Sequence, residues 1–217
     1  MRVFLIFAVF LISATSVSAY VPEVIVQKSL LDITQISNPN LSQTFFGELI
    51  DFPHTYQIIA TEPFHLSVQI SVPDIESSKN NLSGIIIKDN AGKGRVEEVA
   101  RLYAKDALWA PLREWWSGDV YRIGPSFEKD LGPGVYRVEM STPDNKEKYI
   151  LTIGNEKKLA LGYFQTLKNI IDVKKFFGKS PLRVIESPLA FIPLISISGV
   201  GIFFWYRRRQ KNLHTRS

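Results

Sequence analysis

The sequence predicts a mainly β protein: an antiparallel, jelly-roll-like β-sandwich followed by an amphipathic helix and one transmembrane helix. Three patterns predict this. Between residues 40 and 154, apolar residues recur at every second position, which indicates strands. After residue 159 they recur with helical spacing. Near the C-terminus they form an uncharged run. The predicted segments are a signal peptide (1–19), an N-terminal extension (20–39), the sandwich (40–156), a basic amphipathic helix with its linker (157–187), the transmembrane helix (188–206) and a basic tail (207–217).

Alternation is clearest at residues 64–72, where every second side chain is apolar. Turn residues such as Gly132-Pro133-Gly134 separate many of the strand candidates. Short strands with turns between them are typical of antiparallel sandwiches and jelly rolls. The other predicted strands are 45–50, 55–60, 84–88, 96–102, 119–123, 126–131, 136–141 and 149–153.

Charge is distributed unevenly along the 217 residues. Residues 20–156 carry 13 Lys and Arg against 19 Asp and Glu, whereas residues 157–187 carry seven basic and two acidic residues. An acidic body argues against a nucleic-acid partner. The chain has no cysteine, which excludes thiolate catalysis and Cys-ligated metals. For an exported domain, the absence of disulfides also favours a prokaryotic origin.

The first nineteen residues have the form of a secretory signal. Arg2 precedes an apolar run from Val3 to Ile12, and the segment ends in small residues up to Ala19. We expect cleavage after Ala19, because an apolar run of about ten residues is short for a bilayer core about 30 Å thick. An uncleaved N-terminal anchor is the alternative.

A second apolar segment predicts the membrane anchor. Residues 189–206 contain no charged side chain, and they end in Trp205 and Tyr206, which suit a membrane interface. A basic cluster follows, and such clusters stay in the cytoplasm. A buried core helix or a removable GPI signal would not explain this tail. We therefore expect a single-pass cell-membrane protein with its N-terminal domain outside, its tail in the cytoplasm and the lipid bilayer as a partner. The topology-determining residues are Arg207, Arg208, Arg209 and Lys211.

The segment before this anchor predicts an amphipathic helix that ends at Gly178 and Pro181. Lys174 falls on its apolar face and weakens the pattern there. The helix either packs on the sandwich, which we favour, or lies on the outer leaflet of the membrane. The predicted apolar face consists of Leu159, Tyr163, Phe164, Leu167, Ile170, Ile171 and Phe177.

The end of the sandwich carries a resemblance to a known family. A Pro133-Gly134-Val135-Tyr136 turn leads into a strand, and the strand Tyr149-Ile150-Leu151-Thr152-Ile153 follows a polar hairpin. This combination resembles the end of bacterial pre-peptidase C-terminal domains, and residues 56–58 and 64–70 are similar to their opening. The resemblance implies a jelly-roll fold and an accessory role; some of these domains are implicated in binding polysaccharide, protein or calcium. With its anchor, the chain also resembles single-pass envelope proteins of prokaryotes.

Residues 106–119 depart from alternation and concentrate tryptophan. Trp109, Trp115 and Trp116 lie close in sequence to Arg113. Exposed indoles beside charged groups stack on sugar rings and form hot spots of protein interfaces. These four residues are therefore the candidate ligand-binding surface. The alternative is that the indoles close the open end of the sandwich.

The sequence contains no motif that names a reaction. Asp74 and Glu76 could supply oxygen ligands to calcium, but two carboxylates in a loop are usually solvated, so we expect no cofactor. His54 could act as a general base with a distant carboxylate, although a lone histidine is more often structural. We expect a non-catalytic, membrane-anchored module that binds a protein or polysaccharide of the cell envelope. An exported hydrolase with an unrecognised active site is the alternative.

Overall fold

The computed structural model of the chain describes residues 21–25, 27, 29–90, 95–156, 163–191, 198–199 and 201. Within these residues the chain forms eleven strands, the α-helix Tyr163–Phe176 and three 3₁₀ turns, and residues 198, 199 and 201 are also helical. The strands are β1 Val21–Ile25, β2 Ile33–Ile36, β3 Gln43–Glu48, β4 His54–Ala60, β5 Phe64–Pro73, β6 Ser83–Asn90, β7 Arg95–Leu102, β8 Ala110–Arg113, β9 Val120–Leu131, β10 Gly134–Ser141 and β11 Lys148–Ile153. The helix α1 is Tyr163–Phe176, and the 3₁₀ turns are Ala104–Asp106, Pro181–Glu186 and Pro188–Phe191.

The strands form two sheets. The six-stranded sheet has the order β1-β3-β11-β5-β9-β8, and the five-stranded sheet has the order β2-β4-β10-β6-β7. Each of the strands β3 to β6 pairs with a strand that comes later in the chain: β3 with β11, β4 with β10, β5 with β9, and β6 with β7. All four pairs are antiparallel. The predicted mainly β, sandwich-like architecture is confirmed.

The sheets are mixed, which differs from the purely antiparallel sandwich that we predicted. β1 lies parallel to β3, and β2 lies parallel to β4. The two strands of each parallel pair are separated in the chain by one strand of the opposite sheet: β2 lies between β1 and β3, and β3 lies between β2 and β4. Both strands come from residues 20–39, which we expected to be an extension, and the sheets therefore reach beyond the predicted body 40–156.

The core between the sheets follows the alternation of β5. Leu66, Val68 and Ile70 are fully buried, whereas Ser67 and Gln69 lie on the partly exposed outer face. Tyr56, Val138 and Leu151 contribute to the same core from β4, β10 and β11. Burial of side chains of this size stabilises a fold by about 1.5–3 kcal/mol each.

The predicted strands 119–123 and 126–131 form one strand of twelve residues, β9. Its pairing with β5 shifts register between Gln69 and Ser71, which marks a β-bulge or irregularity. Pro125 lies in this interruption, where its missing N–H breaks no ladder hydrogen bond.

A second apolar layer covers the outer face of the six-stranded sheet. Phe46 of β3 meets Phe176 of α1 with ring centroids 5.4 Å apart, and Tyr121 of β9 stacks on Phe177 at 5.6 Å. Ile150 of β11 and Leu189 of the last 3₁₀ turn are buried in the same cluster. The helix therefore packs on the sandwich, which is the arrangement that we favoured, and it covers a sheet face as well as an edge.

The buried face of α1 matches the predicted one in part, since Ile170 and Phe177 are buried and Leu167 packs against them. Ile170, Val173 and Lys174 are fully buried, while Phe164 is 84% exposed. The side chains of Leu159 and Tyr163 lie outside the described residues. Phe164 stays exposed because it lies on a different side of the helix from the Ile170–Val173–Phe177 row, and only one row can meet the sheet.

The two predicted membrane-directed segments are mostly beyond the described residues. Residues 1–19 and the cations 207–211 lie outside them, as does most of 188–206. Among the residues that are described, no helix is long and apolar enough to cross a membrane. Residues 188–191, the start of the predicted transmembrane helix, form a 3₁₀ turn in which Leu189 is buried against the sandwich.

Candidate functional site

The structure does not bring the three clustered tryptophans to one exposed surface. Trp109 is 8% exposed and lies in the core between the sheets. Its indole Nε1 donates a hydrogen bond to the Ala104 carbonyl at 2.8 Å. Its ring lies so close to Gly124 that a Cβ there would come within 2.5 Å. The positive φ of 50° at Trp109 is a strained conformation, which this packing offsets.

Trp116 and Trp115 are adjacent in sequence but have opposite environments. Trp116 is 5% exposed and belongs to the outer cluster with α1, whereas Trp115 is 54% exposed. Arg113 is exposed at the end of β8. Of the four predicted binding residues, Arg113 and Trp115 are therefore accessible, while Trp109 and Trp116 fill two separate cores on opposite faces of the sheet.

An open groove lies beside the chain segment that carries Trp109, since Leu108 and Ala110 are in its lining. This groove, of about 550 Å³, lies where the edge strand β7 faces β9. Its lining combines apolar side chains with polar groups, including Leu108, Phe127, Arg101, Asp106 and Ser126. The volume falls in the range of about 300–1,000 Å³ that is usual for small-ligand sites.

Tyr103 lies in the wall of this groove and is 44% exposed. Lys105 Nζ lies 5.1 Å from the centroid of its ring, and Arg101 Cζ lies 5.9 Å from it. Two cations over one ring hold it in place by cation–π attraction. Sequence analysis missed Tyr103; the signal that could have found it is the aromatic residue between two basic residues in 101–105.

A buried ionic cluster joins α1 to the sandwich. Lys174 and Asp119 are fully buried, and the lysine Nζ lies 3.0 Å from Asp119 Oδ1 and 2.8 Å from Glu186 Oε2. Lys179 reaches the same Asp119 oxygen at 2.7 Å. The hydrogen bond from Lys174 lowers the pKa of the Glu186 carboxyl. Because buried charges are costly unless paired, this cluster fixes the position of the helix.

The turn that carries Asp119 also holds the segment after the helix. Ser187 Oγ donates to the Trp116 carbonyl, and Gly118, with φ 75°, leaves no space for a Cβ beside the Glu186 carbonyl. The chain from Pro181 to Phe191 is thus tied to the β8–β9 turn. The sequence placed Lys174 on the apolar face but could not show its partners, which lie 55 residues before it and 12 residues after it.

His54 lies inside the sandwich. Its Nδ1 is 2.6 Å from the Tyr149 hydroxyl, which is itself 2.7 Å from the Tyr56 hydroxyl. All three side chains are fully buried. Burial lowers the pKa of His54 to about 4 and raises that of Tyr149. The partner of His54 is therefore a tyrosine instead of the carboxylate that we considered, and no solvent reaches it.

Asp74 and Glu76, the predicted calcium ligands, lie in the connection after β5. Asp74 Oδ1 lies 3.4 Å from Arg122 Nε, and Glu76 is exposed. Within the described part of the chain, no group of three or more His, Asp or Glu side chains is placed to hold a metal ion.

No protein-family model and no curated protein matches the chain. The structure is similar to the pre-peptidase C-terminal domain of a collagenase from Bacillus anthracis, with a TM-score of 0.36, 12% identity, and coverage of 58% of this chain and 98% of that one. It is also similar to a β-glucosidase from Paenibacillus barengoltzii, with a TM-score of 0.26, 10% identity, and coverage of 61% of this chain and 13% of that one. The weak resemblance to pre-peptidase C-terminal domains that residues 131–153 predicted is confirmed.

Proposed function

We propose that this chain is a membrane-anchored, extracytoplasmic binding module without catalytic activity, and that it binds a polysaccharide of the cell envelope in the groove beside Tyr103. The observation that carries the proposal is the solvent-open groove of about 550 Å³ with a partly exposed aromatic ring that two cations hold in place. Sugar rings stack on such aromatic faces, while neighbouring charged and hydroxyl groups bind their hydroxyls.

The strand pairing supports a jelly roll as the scaffold of this module. Pairing of β3 with β11, β4 with β10, β5 with β9 and β6 with β7 is the pattern of a long hairpin rolled into two sheets. Jelly rolls occur in many lectin domains. In such a scaffold β7 is an edge strand, so the groove beside it stays open.

A protein of the envelope is the second candidate ligand. Leu108 at the groove is 98% exposed, and Leu112 on β8 is 45% exposed. Exposed apolar side chains beside an aromatic anchor are typical of protein-binding surfaces.

The membrane anchor rests on the apolar residues 189–206 and the cations that follow. A topology measurement tests it, and the absence of cysteine allows single-cysteine labelling. In intact cells we expect a membrane-impermeant maleimide to label Glu62→Cys and to spare Ser217→Cys until the membrane is opened. Labelling of Ser217→Cys in intact cells, or recovery of the chain without membranes, would contradict the anchor.

The groove is tested with the full chain in lipid nanodiscs, probed with isolated envelope polysaccharides and envelope proteins. We expect Tyr103→Ala to weaken binding by about tenfold, as the loss of one aromatic contact of about 1.5 kcal/mol predicts, and Tyr103→Phe to retain it. Trp115→Ala, outside the groove, is the matched control. Equal binding by Tyr103→Ala and the parent chain would contradict the proposal, and release of cleaved products would favour the hydrolase.

A further inference from the structure

Strand register brings a set of loops together at one end of the sandwich. β1 ends beside the last residues of β3, since Ile25 pairs with Gly47, and β2 starts beside the start of β4, since Ile33 pairs with Thr55. Glu48, at the end of β3, pairs with Lys148. The β1–β2, β3–β4 and β10–β11 connections therefore share this end, which we call the anchor end.

The chain also leaves the folded domain at the anchor end. Lys148 Nζ donates to the carbonyl of Phe176, the last residue of α1, at 2.7 Å. The segment 181–191 is then held against the β8–β9 turn by Ser187 and by buried Leu189. Phe191 is the last residue of this tied segment, and the apolar residues 192–206 follow without a spacer.

The anchor end carries exposed apolar side chains. Leu31 is 87% exposed and Leu30 is 62% exposed in the β1–β2 connection, and Ile50 is 51% exposed after β3. The 3₁₀ turn after α1 adds two more: Leu182, 80% exposed, and Ile185, 66% exposed. At the opposite end, the turns 61–63 and 132–133 contain no Leu, Ile or aromatic residue, and the exposed apolar side chain next to them is Ile59, 61% exposed.

Two basic side chains lie among these apolar tips. Arg183, between Leu182 and Ile185 in sequence, is 55% exposed and pairs through Nε with Glu186, and Lys179, just before the turn, is 23% exposed and pairs with Asp119. Apolar side chains that project from a surface together with cations suit the interface of a bilayer, where acyl chains lie next to lipid phosphates.

We propose that the anchor end rests on the outer surface of the membrane, with Leu30, Leu31, Ile50, Leu182 and Ile185 inserted at the level of the lipid headgroups. This inference rests on the proposed membrane anchor, because the short path from Phe191 into the apolar segment determines which end faces the lipid. Leu102, the last residue of β7, pairs with Gly84 of β6 at the anchor end, so Tyr103 also lies near this end, and the groove extends from there along β9.

The experiment uses the full chain in vesicles of phosphatidylcholine and phosphatidylglycerol. Single-cysteine variants Leu31→Cys and Leu182→Cys carry an environment-sensitive NBD label, and Glu62→Cys at the opposite end is the matched control. All three residues are exposed, so labelling leaves the core intact. We expect blue-shifted emission at positions 31 and 182, with quenching by headgroup-proximal spin-labelled lipid at least threefold stronger than at position 62.

The outcomes separate the two proposals. If the chain floats with the vesicles while the labels at 31 and 182 behave like the label at 62, the docked orientation is wrong and the anchor stands. If the chain does not float with the vesicles, the anchor itself is wrong, and the docked orientation is overturned with it.

Discussion

Lys174 of the helix and Asp119 of the β8–β9 turn form an ion pair 3.0 Å long in which both side chains are fully buried. Glu186, also bound to Lys174, comes from the segment after the helix. One lysine therefore joins the sandwich, the helix and the chain that leads toward the apolar segment. These ion pairs and the aromatic cluster beside them hold α1 and the segment 177–191 on the sandwich.

Replacing one partner of this pair should destabilise the domain strongly. We expect Asp119→Ala to lower the free energy of unfolding by about 3 kcal/mol, because it leaves a buried lysine with one partner fewer. The double variant Lys174→Met with Asp119→Leu should recover much of this loss, since apolar side chains need no partner there. Denaturant unfolding measures both effects.

Lys175 provides the matched control for Lys174. It is 60% exposed in an i,i+3 pair with Asp172, so Lys175→Met should change the free energy of unfolding by no more than about 0.5 kcal/mol. Equal effects of Lys174→Met and Lys175→Met would show that the buried pair does not stabilise the helix on the sheet.

The buried His54 should make stability depend on pH. Its pKa is lowered from 6.5 to about 4 by burial, so between these values the unfolded chain binds a proton that the folded chain does not. Stability is therefore retained above pH 6.5 and falls as the pH drops toward 4, by about 3 kcal/mol. Unfolding midpoints measured from pH 7.5 to 4 should show this decline.

The variant His54→Gln should remove most of that pH dependence while keeping a hydrogen bond to Tyr149. His65→Gln is the control, because His65 lies on the outer face beside the exposed Asp130. A decline of the same size in His54→Gln would assign the effect to other groups.

Gly47 should tolerate no side chain. A Cβ at this position would overlap the ring of Tyr149, which its hydrogen bonds to His54 and Tyr56 hold in place. We expect Gly47→Ala to cost about 3 kcal/mol of stability by overpacking. Gly132→Ala, with nothing within 4 Å of the new Cβ, should cost little by comparison. Thermal unfolding of the two variants tests the contrast; similar melting temperatures would contradict it.

The adjacent tryptophans should behave differently. Trp116→Ala empties a site in the outer cluster beneath α1 and should reduce the free energy of unfolding by about 3–5 kcal/mol. Trp115→Ala, at an exposed position, should change it by no more than about 0.5 kcal/mol. Chemical denaturation followed by circular dichroism distinguishes them, and comparable losses in both variants would place Trp115 in a packed site that the structure does not show.

Sequence patterns predicted the sandwich well because every second side chain of a strand points to the same face of the sheet. The alternation of apolar and polar residues in β5 and β10 therefore shows directly which face is buried. They predicted the outer cluster poorly. Phe45 and Phe46 are both buried in β3, as are Tyr149, Ile150 and Leu151 in β11, since both faces of this sheet are covered. Such runs indicate a strand buried on two sides, but they do not identify the covering element.

The candidate site was harder to predict than the fold. Trp109, Trp115 and Trp116 form one group in the sequence, yet β8 and its turn send them to the inner core, the solvent and the outer cluster. Sequence analysis did not select Tyr103 because its exposure and the placement of Lys105 over its ring depend on the 3₁₀ turn that follows β7.

The sequence by itself determined the period of each segment, the uneven distribution of charge and the uncharged run 189–206, because these depend on residues that are near one another along the chain. Only the tertiary structure decided that α1 covers a sheet face, that Lys174 meets Asp119, and that Leu31 and Leu182 project from the same end. Those facts depend on strand register and on contacts between residues that are 55 or more positions apart. Such residues meet only when the chain folds, so no local sequence pattern predicts the distance between them.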